Sequence, residues 1–438
     1  MFLDAVWISI AFVWGLAARL VGLPPLVGYL AAGFALLGFG IHPGEIIDHF
    51  AEMGVTILLF TIGLKLRVDT LLRPQVWGSA LAHMGATTLA LGAGFMALAA
   101  TSLPLLAGLP ASSALLLGFA LSYSSTVFAV KVFEEKGESD SIYARTAIGV
   151  LIMQDIVAVV FLALSTGKVP TAWALALLVA LVPLRRVLWR LMDQAGHEEL
   201  LILFGLSMAL GGAQVFDLVG IKGDLGALIL GVLLSRHRDA DQLSKSLLGF
   251  KNLFLVGFFL SIGLKGLPSL EAVAVGAALV AVVPVKGALF FGLLTRFRMR
   301  SRTAFLSSLG LSNYSEFGLI VATVGVANGW LTDAWLTTLA LALSISFVAA
   351  SPLNKAAYTL YERWQGGLAR FQRAERLPEE AAIETGDATV LVFGMGRVGT
   401  QAYDTIARRS RERVLGLDVA PEVVAHQRSQ GREVIRAS

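Results

Sequence analysis

Ala147-Ile-Gly-Val-Leu-Ile-Met-Gln-Asp-Ile-Val-Ala-Val-Val-Phe-Leu-Ala-Leu164 is an apolar run with one charge, Asp155, in its middle. The run is long enough to cross a bilayer. A carboxylate at that depth costs about 3 kcal/mol on insertion scales, so it is normally kept for a task such as binding a cation or relaying a proton. Asp155 is therefore the first candidate functional residue.

The rest of the chain fits a bilayer. Of 438 residues, 56% are hydrophobic and 15% charged, and the mean hydropathy is +0.73, well beyond the composition of a soluble domain. The 45 glycines suit close helix approach and local breaks. Without cysteine there are no disulfides, Cys-ligated zinc, iron–sulfur clusters or thiol catalysis. The net charge of +4 gives no sign of a nucleic-acid partner. Residues 1–20 lack a basic start and an Ala-x-Ala-like exit, and read as a first span, not a cleaved signal.

Apolar windows predict about thirteen spans, near residues 2–21, 24–40, 51–66, 76–100, 111–134, 143–166, 171–192, 198–217, 222–236, 250–266, 270–295, 302–328 and 335–360. About 20 Lys and Arg, among them Arg67, Arg145, Arg186, Arg238, Arg300 and Lys355, fall on one side, against Lys168, Lys222 and Lys265 on the other. That bias predicts an amino terminus outside and a carboxyl terminus in the cytoplasm. His42, Glu45, Asp48, Asp217, Asp224 and Asp333 mark the outer face.

Two segments return. Leu58-Leu-Phe-Thr-Ile-Gly-Leu-Lys65 reappears as Phe258-Phe-Leu-Ser-Ile-Gly-Leu-Lys265, and a similar offset nearly relates Gly28 and Gly33 to Gly226 and Gly231. Leu121-Ser-Tyr-Ser-Ser125 reappears as Leu311-Ser-Asn-Tyr-Ser315. The copies stand an odd number of spans apart, which inverts one relative to the other, and inverted repeats mark secondary transporters. Chance likeness among apolar helices is the alternative.

Ser122-Tyr-Ser-Ser-Thr126 and Ser312-Asn-Tyr-Ser-Glu316 put consecutive hydroxyls or amides inside apolar helices. Such residues compete for backbone hydrogen bonds, and lipid tolerates the resulting unwinding only where the freed groups line a cavity or lie within protein. Two interrupted helices crossing near Asp155 are expected, with Ser124, Ser125, Thr126, Asn313, Ser315 and Glu316 around a weakly hydrated cation. Interhelical Ser/Thr packing without a break is the plainer reading. Glu316 is either a ligand or a residue of a cytoplasmic funnel. Gln154, about 100° from Asp155 around the helix, orients the site or meets another helix. Lys286 beside Pro284 is a second charge at depth. Asp155 is its expected partner, and snorkelling to an interface the alternative.

Residues 1–360 thus read as a transmembrane domain and 361–388 as a charged linker helix. Residues 389–438 read as a partial Rossmann-like α/β domain. In it a strand leads into Gly394-Met-Gly-Arg-Val-Gly399, a helix follows, and Asp418 ends a second strand. Gly394, Gly396, Arg397, Val398 and Gly399 would hold a phosphate on backbone amides, and Asp418 ribose hydroxyls. A degenerate fold without ligand is the alternative. Only about 50 residues follow the linker, fewer than the unit needs, so a truncated product is expected.

The Gln154-Asp155 pair, the Ser-rich break, the run Ser312-Asn-Tyr-Ser-Glu-Phe317, the repeated Ile-Gly-Leu-Lys and the attached Gly-Met-Gly-Arg-Val-Gly unit together resemble the Kef-type glutathione-gated potassium efflux antiporters, within the second monovalent cation/proton antiporter family. The resemblance spans essentially the whole chain. It implies a homodimeric bacterial inner-membrane potassium/proton antiporter with elevator-like alternating access, Asp155 being the site of cation and proton. It also implies AMP or NAD(H) in a complete regulatory domain and an ancillary regulatory subunit. Relatives with Asn-Asp or Asp-Asp pairs are typically sodium exchangers, so Gln154 favours potassium by analogy. Two departures stand out: Tyr314-Ser-Glu-Phe317 replaces a Gly-Gly-Glu-Phe run, and Gly249-Phe-Lys251 a Pro-Phe-Lys. The glutathione-binding part would lie beyond Ser438. A sodium/proton exchanger and a ligand-gated cation channel are the rival functions. A nucleotide-using enzyme is disfavoured, because no second catalytic constellation accompanies the glycine-rich loop.

Overall fold

A computed structural model of the chain describes residues 2–436 other than 22, 24, 42–44, 66–71, 102–104, 140, 166–171, 197, 221–222, 265, 381–384, 410–411 and 419. Of the charges behind the orientation reading, His42, Arg67, Lys168, Lys222 and Lys265 lie outside the described residues.

Lipid cannot hydrogen-bond a bare backbone, so the apolar windows close into helices. In chain order these are α1 (Phe2–Leu20), α2 (Pro25–Gly38), α3 (Glu45–Lys65), α4 (Pro74–Leu98), α5 (Ala111–Ser122), α6 (Thr126–Glu135), α7 (Ile142–Ser165) and α8 (Ala172–Ala195). Next come α9 (Glu199–Leu218), with a wide turn at Ser207–Gly211, then α10 (Gly223–Leu234), α11 (Ala240–Leu264), α12 (Leu270–Val280) and α13 (Val283–Arg296). The last are α14 (Ser301–Leu311), α15 (Glu316–Ala327) and α16 (Asp333–Lys355). Six described stretches are long and apolar enough to cross a bilayer: Pro74–Leu98, Ala111–Phe133, Ile142–Leu162, Glu199–Leu218, Leu270–Arg296 and Asp333–Lys355. Phe12, Leu164, Leu218 and Leu270 stand exposed on the outside, as side chains facing acyl tails would.

The expected interruptions are present. The chain leaves helical conformation at residues 123–125, between α5 and α6, and at 312–315, between α14 and α15. The two meet closely: a Cβ on Gly318 would stand 2.3 Å from the Ala120 carbonyl oxygen. A third break, at residues 281–282, separates α12 from α13 just before Pro284, where proline removes a donor.

The repeated glycines touch one another. A Cβ on Gly33 would meet the Leu260 carbonyl oxygen at 2.5 Å and Gly263 Cα at 2.8 Å; one on Gly231 would meet the Phe60 carbonyl oxygen at 2.2 Å and Gly63 Cα at 3.0 Å. Thus α2 crosses α11 through the Gly33/Gly263 pair, and α3 crosses α10 through Gly63/Gly231, a relation in which the two sequence copies exchange places. Gly231→Val is expected to destabilise the protein by more than about 1–3 kcal/mol, the usual overpacking range, because its neighbour is backbone and cannot rotate away. Thermal unfolding of the purified protein in detergent reads the loss.

Beyond α16 the linker departs from a single helix. A separate helix, α17 (Ala357–Leu368), begins inside the last apolar window, and 3-10 turns follow at Ala369–Phe371 and Pro378–Glu380. Polar Asn354 and Lys355 end the apolar run; α17 runs through Gly366 and Gly367, which are weak helix formers, and stops at Leu368, and Pro378 opens a separate turn. A parallel sheet of β1 (Val390–Phe393), β2 (Val414–Asp418) and β3 (Val434–Arg436) follows in that order, its crossovers being α18 (Arg397–Arg409) and α19 (Pro421–Ser429). Met395, Tyr403, Val414, Val424 and Val434 form its small core.

Candidate functional site

Asp155 lies on α7 and is 1% exposed. Its Oδ2 accepts a hydrogen bond from Thr126 Oγ1, the first residue of half-helix α6, at 3.3 Å. Gln154, completely buried, turns to the break beside it. Its Oε1 accepts from the Ser124 backbone N–H at 3.0 Å, and its Nε2 donates to the Ser122 carbonyl at 3.3 Å. A carboxamide offers one acceptor and two donors, which suits a strand of backbone left with an unpaired N–H and an unpaired C=O. Gln154 thus serves the interruption, and Asp155 faces its helix end.

Ser125 ties the two interruptions together. Its hydroxyl caps α6 by accepting from the Phe128 N–H at 3.2 Å. Its own N–H donates to Asn313 Oδ1 at 2.7 Å, and its hydroxyl donates to Glu316 Oε2 at 2.9 Å. Ser124 Oγ donates to the Leu311 carbonyl at 2.7 Å. At the second break Ser315 caps α15 by accepting from the Phe317 N–H at 3.1 Å, and Asn313 Nδ2 donates to the Gly310 carbonyl at 2.9 Å. Glu316 is 3% exposed and turned into the bundle against Ser125. Its Oε1 has no hydrogen-bond partner among the described residues.

Lys286 lies elsewhere than expected. Its ammonium donates to the carbonyls of Leu121 (3.1 Å), Tyr123 and Asn313 (2.8 Å), and stands 5.0 Å from the Tyr314 ring centroid. Three donors meet three backbone acceptors freed by the two breaks, so the expected Asp155–Lys286 ion pair gives way to a clamp on both interruptions. At 3% exposure the side chain does not snorkel. The physical reason is the helix end: the last carbonyls of α5 carry partial negative charge and lack intrahelical donors.

Sequence reasoning missed the supports of this framework. Tyr314 Oη donates to the Leu279 carbonyl at 2.6 Å, next to the third break, and Ser346 Oγ on α16 accepts from the Tyr314 N–H at 3.1 Å. Tyr123, fully buried between the serines, has a phenol without a hydrogen-bond partner among the described residues. His83 of α4, also fully buried, stacks on Phe290 with 3.5 Å between ring centroids. Tyr314 and Tyr123 had a signal in the sequence, an aromatic inside each polar run; Ser346 and His83 sit in ordinary apolar surroundings.

In the C-terminal unit the strand, glycine turn and helix are in place. Gly394 has φ +82°, and a Cβ on Gly399 would stand 1.7 Å from the Gly394 carbonyl oxygen. Asp418 ends β2, but its carboxylate holds the unit's own backbone, Oδ2 accepting from the Met395 N–H at 2.6 Å and Oδ1 from the Ala420 N–H at 2.9 Å.

A buried carboxylate facing the polar interruptions of two crossed helices is the arrangement expected of a membrane carrier. The chain belongs to the transmembrane sodium/hydrogen exchanger family, whose description matches residues 8–355. It is similar to the glutathione-regulated potassium-efflux system protein KefC of Cronobacter sakazakii, 29% identical over 451 residues that cover 97% of this chain and 70% of KefC. Its fold is shared by the sodium proton antiporter MjNhaP1 of Methanocaldococcus jannaschii at pH 8, with a TM-score of 0.56 and 16% identity over 85% of this chain and 98% of that one. The protein is an integral membrane monovalent cation/proton antiporter, of a family of transporters and not of enzymes.

Proposed function

We propose that the protein is a potassium/proton antiporter that mediates potassium efflux by elevator-like alternating access, with Asp155 taking a cation and a proton in turn. The observation that carries this reading is the buried Asp155 carboxylate against the N-terminus of α6, where Thr126, Ser125, Asn313 and Glu316 add neutral and acidic oxygens. Hydroxyl, carbonyl and carboxylate oxygens suit a cation that sheds water readily. Potassium over sodium rests on the Gln154-Asp155 pair and on the likeness to KefC. Thirteen spans, an outside amino terminus, a cytoplasmic carboxyl terminus and a homodimer belong to the same proposal.

The C-terminal unit is proposed as a regulatory domain. Its residues fit a nucleotide such as AMP or NAD(H): Gly394 turns the chain at φ +82°, Gly399 lets α18 close against that turn, and the first amides of α18 would meet a phosphate. Asp418 would hold ribose hydroxyls only by sharing oxygens now bonded to the Met395 and Ala420 amides.

Reconstituted into proteoliposomes, the protein is expected to dissipate a preset pH gradient on addition of potassium. A response to sodium alone points to the sodium/proton exchanger; cation flux without proton movement points to a channel.

A further inference from the structure

The cytoplasmic ends of the three elements that carry the site converge on one side chain, Tyr358, in the first turn of α17. Its hydroxyl donates to Glu138 Oε1 at 2.5 Å, and Glu138 Oε2 accepts from Tyr143 Oη at 2.6 Å. Glu138 lies just past α6, and Tyr143 in the first turn of α7. Arg302, in the first turn of α14, places its guanidinium 5.5 Å from the Tyr358 ring centroid, and Lys136 its ammonium at 5.2 Å. Ser307 Oγ of α14 donates to the Tyr143 carbonyl at 3.0 Å, and Phe133 of α6 meets Tyr143 edge-on at 5.3 Å. Followed inward, each element ends at the site: α6 begins at Thr126, α7 carries Gln154 and Asp155, and α14 ends two residues before Asn313.

The segment after Tyr358 stays on the same group of helices. Tyr361 Oη shares a hydrogen bond with Ser301 Oγ at 3.0 Å, the Ser301 N–H donates to Gln372 Oε1 at 3.0 Å, and the Arg300 N–H donates to Glu380 Oε2 at 2.7 Å. Exposed ion pairs contribute little, whereas phenols donating to a carboxylate form the stronger, charge-assisted kind of hydrogen bond. Burial, then the Glu138 hydrogen bond, raise the Tyr358 phenol, which keeps it a donor.

Resting on the reading of Asp155 as the carrier site, we infer that Glu138 and Tyr358 are positioning residues that fix the relative heights of α6, α7 and α14, and with them the spacing of Thr126, Asp155 and Asn313. Through this node the cytoplasmic segment acts on cation affinity without touching the cation.

The test uses the full chain in proteoliposomes, with potassium or sodium as the probe, whichever supports exchange. Tyr358→Phe keeps the ring and loses the hydroxyl; Glu138→Gln keeps the shape and loses the charge. Each is expected to shift the half-saturating cation concentration by about two- to thirtyfold, the range for residues that couple to a distant site. The double variant should match the larger single, because both remove one interaction. Should Tyr358→Phe fail to fold, Glu138→Asp, which shortens the reach, takes its place with the same expected shift. An unchanged half-saturation point overturns the inference, including when the melting temperature falls, and so do fully additive effects. Asp155→Asn run alongside separates the two readings. Residual exchange in that variant removes the carrier assignment, whereas its silence beside a wild-type response of Tyr358→Phe removes only the positioning role.

Discussion

Asp155→Asn is expected to abolish coupled exchange while leaving the protein folded and at least as heat-stable as the wild type. An amide neither binds nor releases a proton in the working range, so the alternation between cation and proton has no vehicle. Contacts to a charged partner are worth about 1.5–3 kcal/mol, so loss of the carboxylate alone should weaken cation binding about ten- to a hundredfold before coupling is considered. The fold should survive because Asn Oδ1 accepts from Thr126 Oγ1 as the aspartate does. Stability should hold or rise, since a buried ionised carboxylate costs several kcal/mol in desolvation. Measurement of exchange in proteoliposomes, with thermal unfolding of the same sample, checks both halves. Exchange near the wild-type rate would move the site away from α7.

Lys286 should show the opposite balance, a large effect on stability. Its three donors serve the Leu121, Tyr123 and Asn313 carbonyls, and no other described hydrogen bond is given to these oxygens at the breaks. Lys286→Met removes all three donors. A buried acceptor left unsatisfied costs about 1–3 kcal/mol, and three are left here, so this variant should melt well below the wild type or fail to accumulate in the membrane. Lys286→Gln keeps two N–H donors and should fall between, with exchange reduced but measurable. The order wild type, Gln, Met in thermal unfolding is the prediction. A methionine variant as stable as the wild type would show that water or local rewinding satisfies those carbonyls.

The helices and the two interruptions were legible in the sequence because both follow from side-chain chemistry: apolar windows must close their backbone bonds, and runs such as Ser122-Tyr-Ser-Ser and Ser312-Asn-Tyr-Ser compete with them. Asp155 was legible for the same reason, as an isolated charge. Lys286 was placed at depth correctly and paired wrongly. Its acceptors are backbone carbonyls, which every residue has, so only their release at a helix break singles them out. For Glu316 the sequence leaves two roles open, because position alone does not say which way the first turn of α15 faces; in the structure it faces the Ser125 hydroxyl. The charge pattern of the linker predicts one helix, yet α17 stops at Leu368, just past the weak helix formers Gly366 and Gly367, and Pro378 begins a separate turn. The node at Tyr358 joins residues more than two hundred positions apart, beyond any local pattern.

The glycine crossings have a mechanical consequence. Where α2 meets α11 and α3 meets α10, main chain lies against main chain, and no side-chain ridge remains for one rod to glide over. A slip by a single position would drive a neighbouring Leu or Phe into a carbonyl, so these four rods are locked as a frame. The elevator-like displacement proposed above would then fall to the remaining helices moving past that frame, and spectroscopic distances between α3 and α10 should stay constant throughout the cycle.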